Sequence, residues 1–189
     1  MATNFQIAGV NGKIEGTGEQ TIVMIHGWPD TQELWQNQVN FFKNGYRCVT
    51  FTLPAFDQPK ARPQVFSLEE IIATIGQVID LVSPDQPVIL MTHDWGCIYG
   101  YQYVVRHPQR ISRLIGVDVG DAYSDAFDAS LTPKDKIVIA GYQLPLVAAF
   151  RLGGKVGDRI AKKIAKVVGA PTSPKKIHAN MGYPYYIAW

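Results

Sequence analysis

Cysteine is nearly absent from this sequence. Only Cys48 and Cys97 occur in 189 residues, one in a predicted strand and one at a predicted helix start. A disulfide framework is therefore excluded, and reduced core thiols in a cytoplasmic protein are expected. An excess of charge of one sign is also lacking: 18 basic against 16 acidic residues leave a formal net charge of +2. That is too little to argue for nucleic acid or an acidic membrane as a partner. Residues Met1 to Gln6 hold neither a basic stretch nor an apolar run, so no signal or transit peptide is read there. No hydrophobic run is long enough to span a bilayer. The most apolar one, Ile137 to Leu152, is interrupted by Gln143 and Pro145 and contains Arg151. Repeats and low-complexity tracts are missing too. What is present, 47% hydrophobic and 18% charged residues, describes a packed globular core and leaves small-molecule chemistry open.

Phe5 to Glu15 alternates loosely around Asn11-Gly12, which predicts an opening hairpin turning at that dipeptide. Thr21 to His26, Tyr46 to Thr52, Pro87 to His93 and Arg113 to Val119 are short, apolar and rich in β-branched residues, as strands covered on both faces should be. Between them lie helical stretches: Gln32 to Lys43, a run to Val82 opened by the capping box Ser67-Leu68-Glu69-Glu70, and a third helix from about Gly96. Strand and helix in alternation predict an α/β fold, a mostly parallel sheet with helices on both faces. From about Asp125 the pattern is helical only, with segments at Thr132 to Leu152, Lys155 to Val168 and Ser173 to Met181. Residues 1–124 are thus read as an α/β core and 125–189 as a helical lid over the C-terminal strand edge, where ligands bind in this architecture. The five cations of the Lys155 to Val168 helix are read as a solvated face, so a membrane-surface role is not expected.

Chemistry concentrates where the strand Val88 to His93 runs directly into Asp94-Trp95-Gly96-Cys97. A sharp strand-to-helix turn leaves no room for bulk two residues before and after its central position, which suits Thr92 and Gly96 around Asp94. Such a turn lifts Asp94 clear of the sheet. It also sets the Trp95 N–H at a helix N-terminus, where developing negative charge is stabilised. Alone, an aspartate at a strand end reads equally well as a helix N-cap. A second motif, His26-Gly27-Trp28-Pro29-Asp30, follows the strand Thr21 to His26. Trp28 is placed there to give the second N–H of an oxyanion hole, Gly27 allows close backbone approach, and Pro29 fixes the next φ. His26 is read as a core histidine bracing this loop rather than as a base.

His-Gly-Trp-Pro-Asp followed by a strand ending in Thr-His93-Asp94-Trp-Gly resembles the epoxide hydrolase and haloalkane dehalogenase branch of the α/β-hydrolase superfamily, as does His107-Pro108-Gln109-Arg110-Ile111 before the next strand. One departure is Leu53 to Pro59, where relatives carry an Arg-Gly-containing loop. The resemblance implies that the Asp94 carboxylate attacks an electrophilic carbon and that water then hydrolyses the ester. A serine esterase is excluded, since no G-x-S-x-G occurs. For an apolar epoxide substrate the resemblance implies lid tyrosines as donors to the opening ring. Tyr142, 48 positions after Asp94, corresponds to the first, and Tyr183 is a candidate second. Both also read as packing residues. A haloalkane dehalogenase would use Trp95 but would need an asparagine where Trp28 stands. Asp118, 24 positions after Asp94, is a possible acid of the kind some dehalogenases use to orient a histidine, or a loop cap.

The resemblance also implies a histidine base after the lid, and none of His26, His93, His107 and His178 fits that order. The chain is therefore expected to be the N-terminal portion of a longer enzyme, able to form the ester but not to release it. A non-catalytic relative with the same fold is the reading from another class. No metal, organic cofactor or oligomeric state is implied.

Overall fold

The computed structural model describes residues 2–59, 64–120 and 124–189. Contacts divide the chain into two units: Met1–Pro54 with Phe66–Gly120, and Ala55–Val65 with Asp121–Trp189.

The first unit is built on a six-stranded sheet: β1 (Thr3–Ile7), β2 (Val10–Glu15), β3 (Thr21–Ile25), β4 (Arg47–Phe51), β5 (Val88–His93) and β6 (Ile111–Val117), in the order β1-β2-β4-β3-β5-β6. The first two strands run antiparallel to each other and β2 antiparallel to β4, while β4, β3, β5 and β6 are mutually parallel. Parallel neighbours need crossovers. They come from a 3-10 turn at Gln32–Trp35 leading into α1 (Gln36–Phe42), from α2 (Leu68–Val82) and from α3 (Trp95–Arg106). The capping box expected at Ser67 and Glu70 opens α2.

Because alternate residues of a strand point to opposite faces, Ile22, Met24, Cys48, Ile89 and Met91 form one face and bury Trp35 and Val39 against it. Both cysteines are buried free thiols.

Three sequence readings need correction in this unit. The hairpin turns at Ala8 and Gly9, with φ of 51° and 74°, and not at Asn11-Gly12, which pair as strand residues with Gln6 and Phe5. A type I′ two-residue hairpin needs positive φ at both central positions, as Ala8 and Gly9 have. Gly12 is instead required by packing, since a Cβ there would collide with the Phe5 ring. The strand placed at Arg113 to Val119 lies at Ile111–Val117, because pairing with β5 starts opposite Val88 and Asp118, at φ 82°, leaves the extended region. Nor is this strand covered on both faces. It is the outermost of the described sheet, and most of its residues are exposed.

The second unit holds α4 (Asp125–Ser130), α5 (Pro133–Leu152), α6 (Gly154–Val167) and α7 (Tyr183–Ala188). Thr132 and Asp135 form a capping box at the start of α5. Small residues bring α6 onto α5: Gly157, Ala161 and Ala165 are buried, and a Cβ on Gly157 would collide with the Ala149 carbonyl. The helix expected over Ser173 to Met181 is absent. Only a 3-10 turn at Ala179–Gly182 forms, leading into α7. Pro171 and Pro174 withhold backbone donors there, and the side chains before α7 are spent on another segment. His178 Nε2 donates to the Phe56 carbonyl at 3.1 Å and Asn180 Nδ2 to that of Gln58 at 3.1 Å. Residues 55–59, where the sequence departs from its resemblance, are held in this way. Among the described residues, no helix is long and apolar enough to cross a membrane.

Candidate active site

At the junction of β5 and α3, Asp94 adopts φ 53° and ψ −124°, a conformation that costs a non-glycine residue roughly 1–3 kcal/mol. Surrounding bonds hold it there. Its N–H donates to the Val117 carbonyl at 3.4 Å, and its carbonyl accepts from the Cys97 N–H at 2.8 Å. Although Asp94 stands at the N-cap position, its side chain does not make the usual N-cap hydrogen bond, and backbone N–H groups from the loop after β3 and from the first residue of α3 meet the carboxylate instead.

That loop reaches the carboxylate through Trp28, whose N–H donates to Asp94 Oδ1 at 2.6 Å. The Trp95 N–H also bonds the carboxylate. Glycine makes the approach possible twice over. A Cβ on Gly27 would collide with Asp94 Oδ1 and lie 2.5 Å from the Trp95 nitrogen, and one on Gly96 would collide with the Ile25 carbonyl and lie 2.7 Å from that of His26. Thr92 is fully buried, and Gly100 on α3 makes room for its methyl group. Gly100 carried no signal in the sequence because it lies outside the turn itself. Trp28-Pro29 is a cis peptide.

Beneath the loop, buried His26 accepts the Leu53 N–H at Nε2 (2.9 Å), so Nδ1 carries the proton and donates to the Gly27 carbonyl at 2.9 Å. Both ring nitrogens are therefore occupied in joining two loops. Burial lowers its pKa to about 4, with the Gly27 bond opposing and the His93 charge adding to the effect.

Burial acts in the opposite sense on Asp94, raising its pKa to about 7. The Trp95 and Trp28 N–H groups pull it down, and the Asp118 and Asp30 carboxylates push it up. Local sequence does not mark Asp30 as more than the last residue of its motif. It is buried, with Oδ2 4.0 Å from Nδ1 of His93. Among the described residues, no group of three or more His, Cys, Asp or Glu side chains is disposed to hold a metal ion.

One unit thus gathers Asp94, Trp28, Trp95, Gly27, Pro29, Gly96, His26, His93 and Asp118. Tyr142 and Tyr183 belong to the other. Tyr142 is half-buried, its hydroxyl accepts the Gln143 amide at 3.0 Å, and its ring meets Tyr185 edge-on at 6.1 Å. Tyr183 is fully buried and meets Phe56 edge-on at 5.9 Å. The Tyr142–Tyr185 contact was hidden in the sequence by the run of tyrosines around Pro184.

Residues 20–147 match the family model described as alpha/beta hydrolase fold. The chain is 29% identical over 109 residues to a cis-3-alkyl-4-alkyloxetan-2-one decarboxylase of Shewanella oneidensis, covering 56% of this chain and 34% of that protein. It is 33% identical over 98 residues to an epoxide hydrolase of Neurospora crassa, covering 50% and 29%, and 25% identical over 177 residues to epoxide hydrolase 3 of Xenopus tropicalis, covering 86% and 47%. Each of these curated relatives is thus spanned over less than half its length. A Bacillus megaterium epoxide hydrolase in complex with an inhibitor shares the fold at TM-score 0.73 and 20% identity, over 97% of this chain and 71% of that one. An epoxide hydrolase from Vigna radiata does so at TM-score 0.69 and 18% identity, over 98% and 70%.

Proposed function

The chain belongs to the alpha/beta hydrolase fold family, and from that premise we propose that it is the N-terminal part of an epoxide hydrolase-like enzyme with Asp94 as nucleophile. The observation that carries this reading is the carboxylate itself, raised on a strained turn and held by the Trp28 and Trp95 N–H groups.

In the proposed reaction one carboxylate oxygen attacks a carbon of an apolar epoxide. A carbon–oxygen bond to Asp94 forms as the ring carbon–oxygen bond breaks, and the resulting alkoxide takes a proton from a donor. Oδ1, the oxygen that already accepts the Trp28 N–H, becomes the ester carbonyl. Water adding there puts negative charge on Oδ1, and Trp28 and Trp95 act as the oxyanion hole. The acyl carbon–oxygen bond to the substrate then breaks: the diol leaves with the former Asp94 oxygen and one water proton, the water oxygen rebuilds the carboxylate, and the second water proton returns to the donor spent on ring opening.

The helical unit is proposed as the lid. Tyr142 is proposed as the proton donor; Tyr183, enclosed beside Phe56, is the less supported partner. His26, with both nitrogens engaged, is assigned to bracing the loop. His178 is buried and bonded to Phe56, so a base for ester hydrolysis is proposed from sequence beyond these residues. Buried free thiols support a reducing, cytoplasmic setting.

A second electrophile is favoured by one observation, the similarity to a protein named for decarboxylating oxetan-2-ones. A strained four-membered lactone would also alkylate Asp94. Incubating the chain in parallel with an aryl epoxide, a 1-haloalkane and an oxetan-2-one, and reading the intact mass, separates the readings. The epoxide adduct is expected to form fastest; faster labelling by the lactone or the haloalkane would assign that electrophile instead.

A further inference from the structure

Two side chains of α3, one turn apart, face the end of β6. Cys97, wholly buried, donates to the Val117 carbonyl at 3.3 Å, and the Tyr101 hydroxyl donates to the Val119 carbonyl at 2.5 Å. Between these two pinned carbonyls lies Asp118, at φ 82°. Residues other than glycine hold such a conformation only where neighbouring structure over-determines it. The Val117 carbonyl also accepts the N–H of Asp94 itself, so the same peptide ties the two aspartates together. Opposite Tyr101, residue 116 is a glycine, and a Cβ there would collide with the tyrosine hydroxyl. Gly116 thus reads as the seat of the Tyr101 hydroxyl.

We propose that Tyr101 is a positioning residue, its hydroxyl seated over Gly116 and bonded to Val119 so that the strained Asp118 is fixed beside the nucleophile. This rests on the reading of Asp94 as nucleophile. Among the described residues, the charged groups acting on Asp94 are the Asp118 carboxylate from the end of β6 and the Asp30 carboxylate from the loop after β3, with His93 preceding Asp94 in the chain. Asp118 and Asp30 both hold the Asp94 carboxyl up. A more basic carboxylate is the stronger nucleophile once ionised, so the placement of Asp118 adds to what burial does to the reactivity of Asp94 and the pH at which it appears.

The test is the titration midpoint of Asp94, read from the side-chain carboxyl 13C shift in the full 189-residue chain and assigned with Asp94→Asn. Tyr101→Phe keeps the ring and removes the bond. It is expected to lower the midpoint by about half a pH unit, the scale for two carboxylates several ångströms apart in a partly solvated site. Asp118→Asn, tolerant of positive φ, is expected to lower it at least as far, and adding Tyr101→Phe to Asp118→Asn to change nothing more. Gly116→Ala, which unseats the hydroxyl, should reproduce the tyrosine variant and carries the test should that variant lose its fold. An unmoved midpoint in Tyr101→Phe and Gly116→Ala alongside a shifted one in Asp118→Asn overturns the proposal. So does an equal tyrosine effect with and without Asp118. Because the midpoint is read without substrate, absence of an epoxide adduct would remove the nucleophile reading and leave this result standing.

Discussion

At the scale of single residues, the chemistry turns on one carboxyl group whose ionisation burial opposes and two backbone amides favour. With its pKa at about 7, Asp94 is only partly ionised at neutral pH, and it is the carboxylate that attacks. Alkylation by a small epoxide is therefore expected to rise about tenfold per pH unit below 7 and to level off above it. Initial rates of mass gain between pH 5 and 9 check this, and a flat profile would place the reacting group elsewhere. Spacing in the sequence gave the position of Asp94 and its small neighbours, because a nucleophile elbow imposes them locally. The carboxylates that tune it, Asp30 and Asp118, could not be read that way. Their effect depends on two separate strands converging on the end of β5.

At the scale of elements, glycine and strain decide the geometry. Gly27→Ala forces a methyl group onto Asp94 Oδ1 and towards the Trp95 nitrogen. Labelling of Asp94 is expected to fall at least about 100-fold, the scale for losing a preorganised donor, with the fold retained by far-UV circular dichroism. On Gly96 the methyl meets the Ile25 and His26 carbonyls instead, so Gly96→Ala should also cost stability. A loss of roughly 1–3 kcal/mol, as overpacking gives, is expected in urea titration, and an unchanged midpoint would contradict the packing described. In the helical unit, Gly157→Ala should loosen α6 from α5, read as faster hydrogen exchange of α6 amides. The helix expected at Ser173 to Met181 fails for the complementary reason: local apolar spacing permits a helix, but His178 and Asn180 are committed to Phe56 and Gln58, more than a hundred residues earlier.

At the scale of the whole molecule, the two buried titrating groups act against each other. Asp94 has a folded pKa of about 7 against an ordinary 3.8, so it takes up protons on folding, and its ionisation costs stability as pH rises from about 4 to 7. His26 has a folded pKa of about 4 against an ordinary 6.5, so the stability it allows is lost as pH falls from about 6.5 to 4. In the window between, the two slopes largely cancel. Asp94→Asn should unmask the histidine: that variant is expected to be more stable than the parent at pH 8 by up to about 4 kcal/mol and to lose stability steeply on acidification below pH 6.5. Urea unfolding at pH 5, 6.5 and 8 checks both signs. The α/β class, four of the six strands and the hairpin were legible in the sequence because hydrophobic periodicity reports on which faces are covered. The turn of that hairpin was not, since Asn11-Gly12 carries the stronger local turn signal yet pairs within the strands, while the chain turns at Ala8 and Gly9.

As the proposed nucleophile, Asp94 should carry a covalent ester after meeting an epoxide. Peptide mapping by mass spectrometry of the chain after incubation with styrene oxide tests it most directly. One added epoxide is expected on the peptide containing Asp94 and none on the corresponding peptide of Asp94→Asn. An unlabelled Asp94 peptide, or equal labelling of the Asp94→Asn chain, would contradict it.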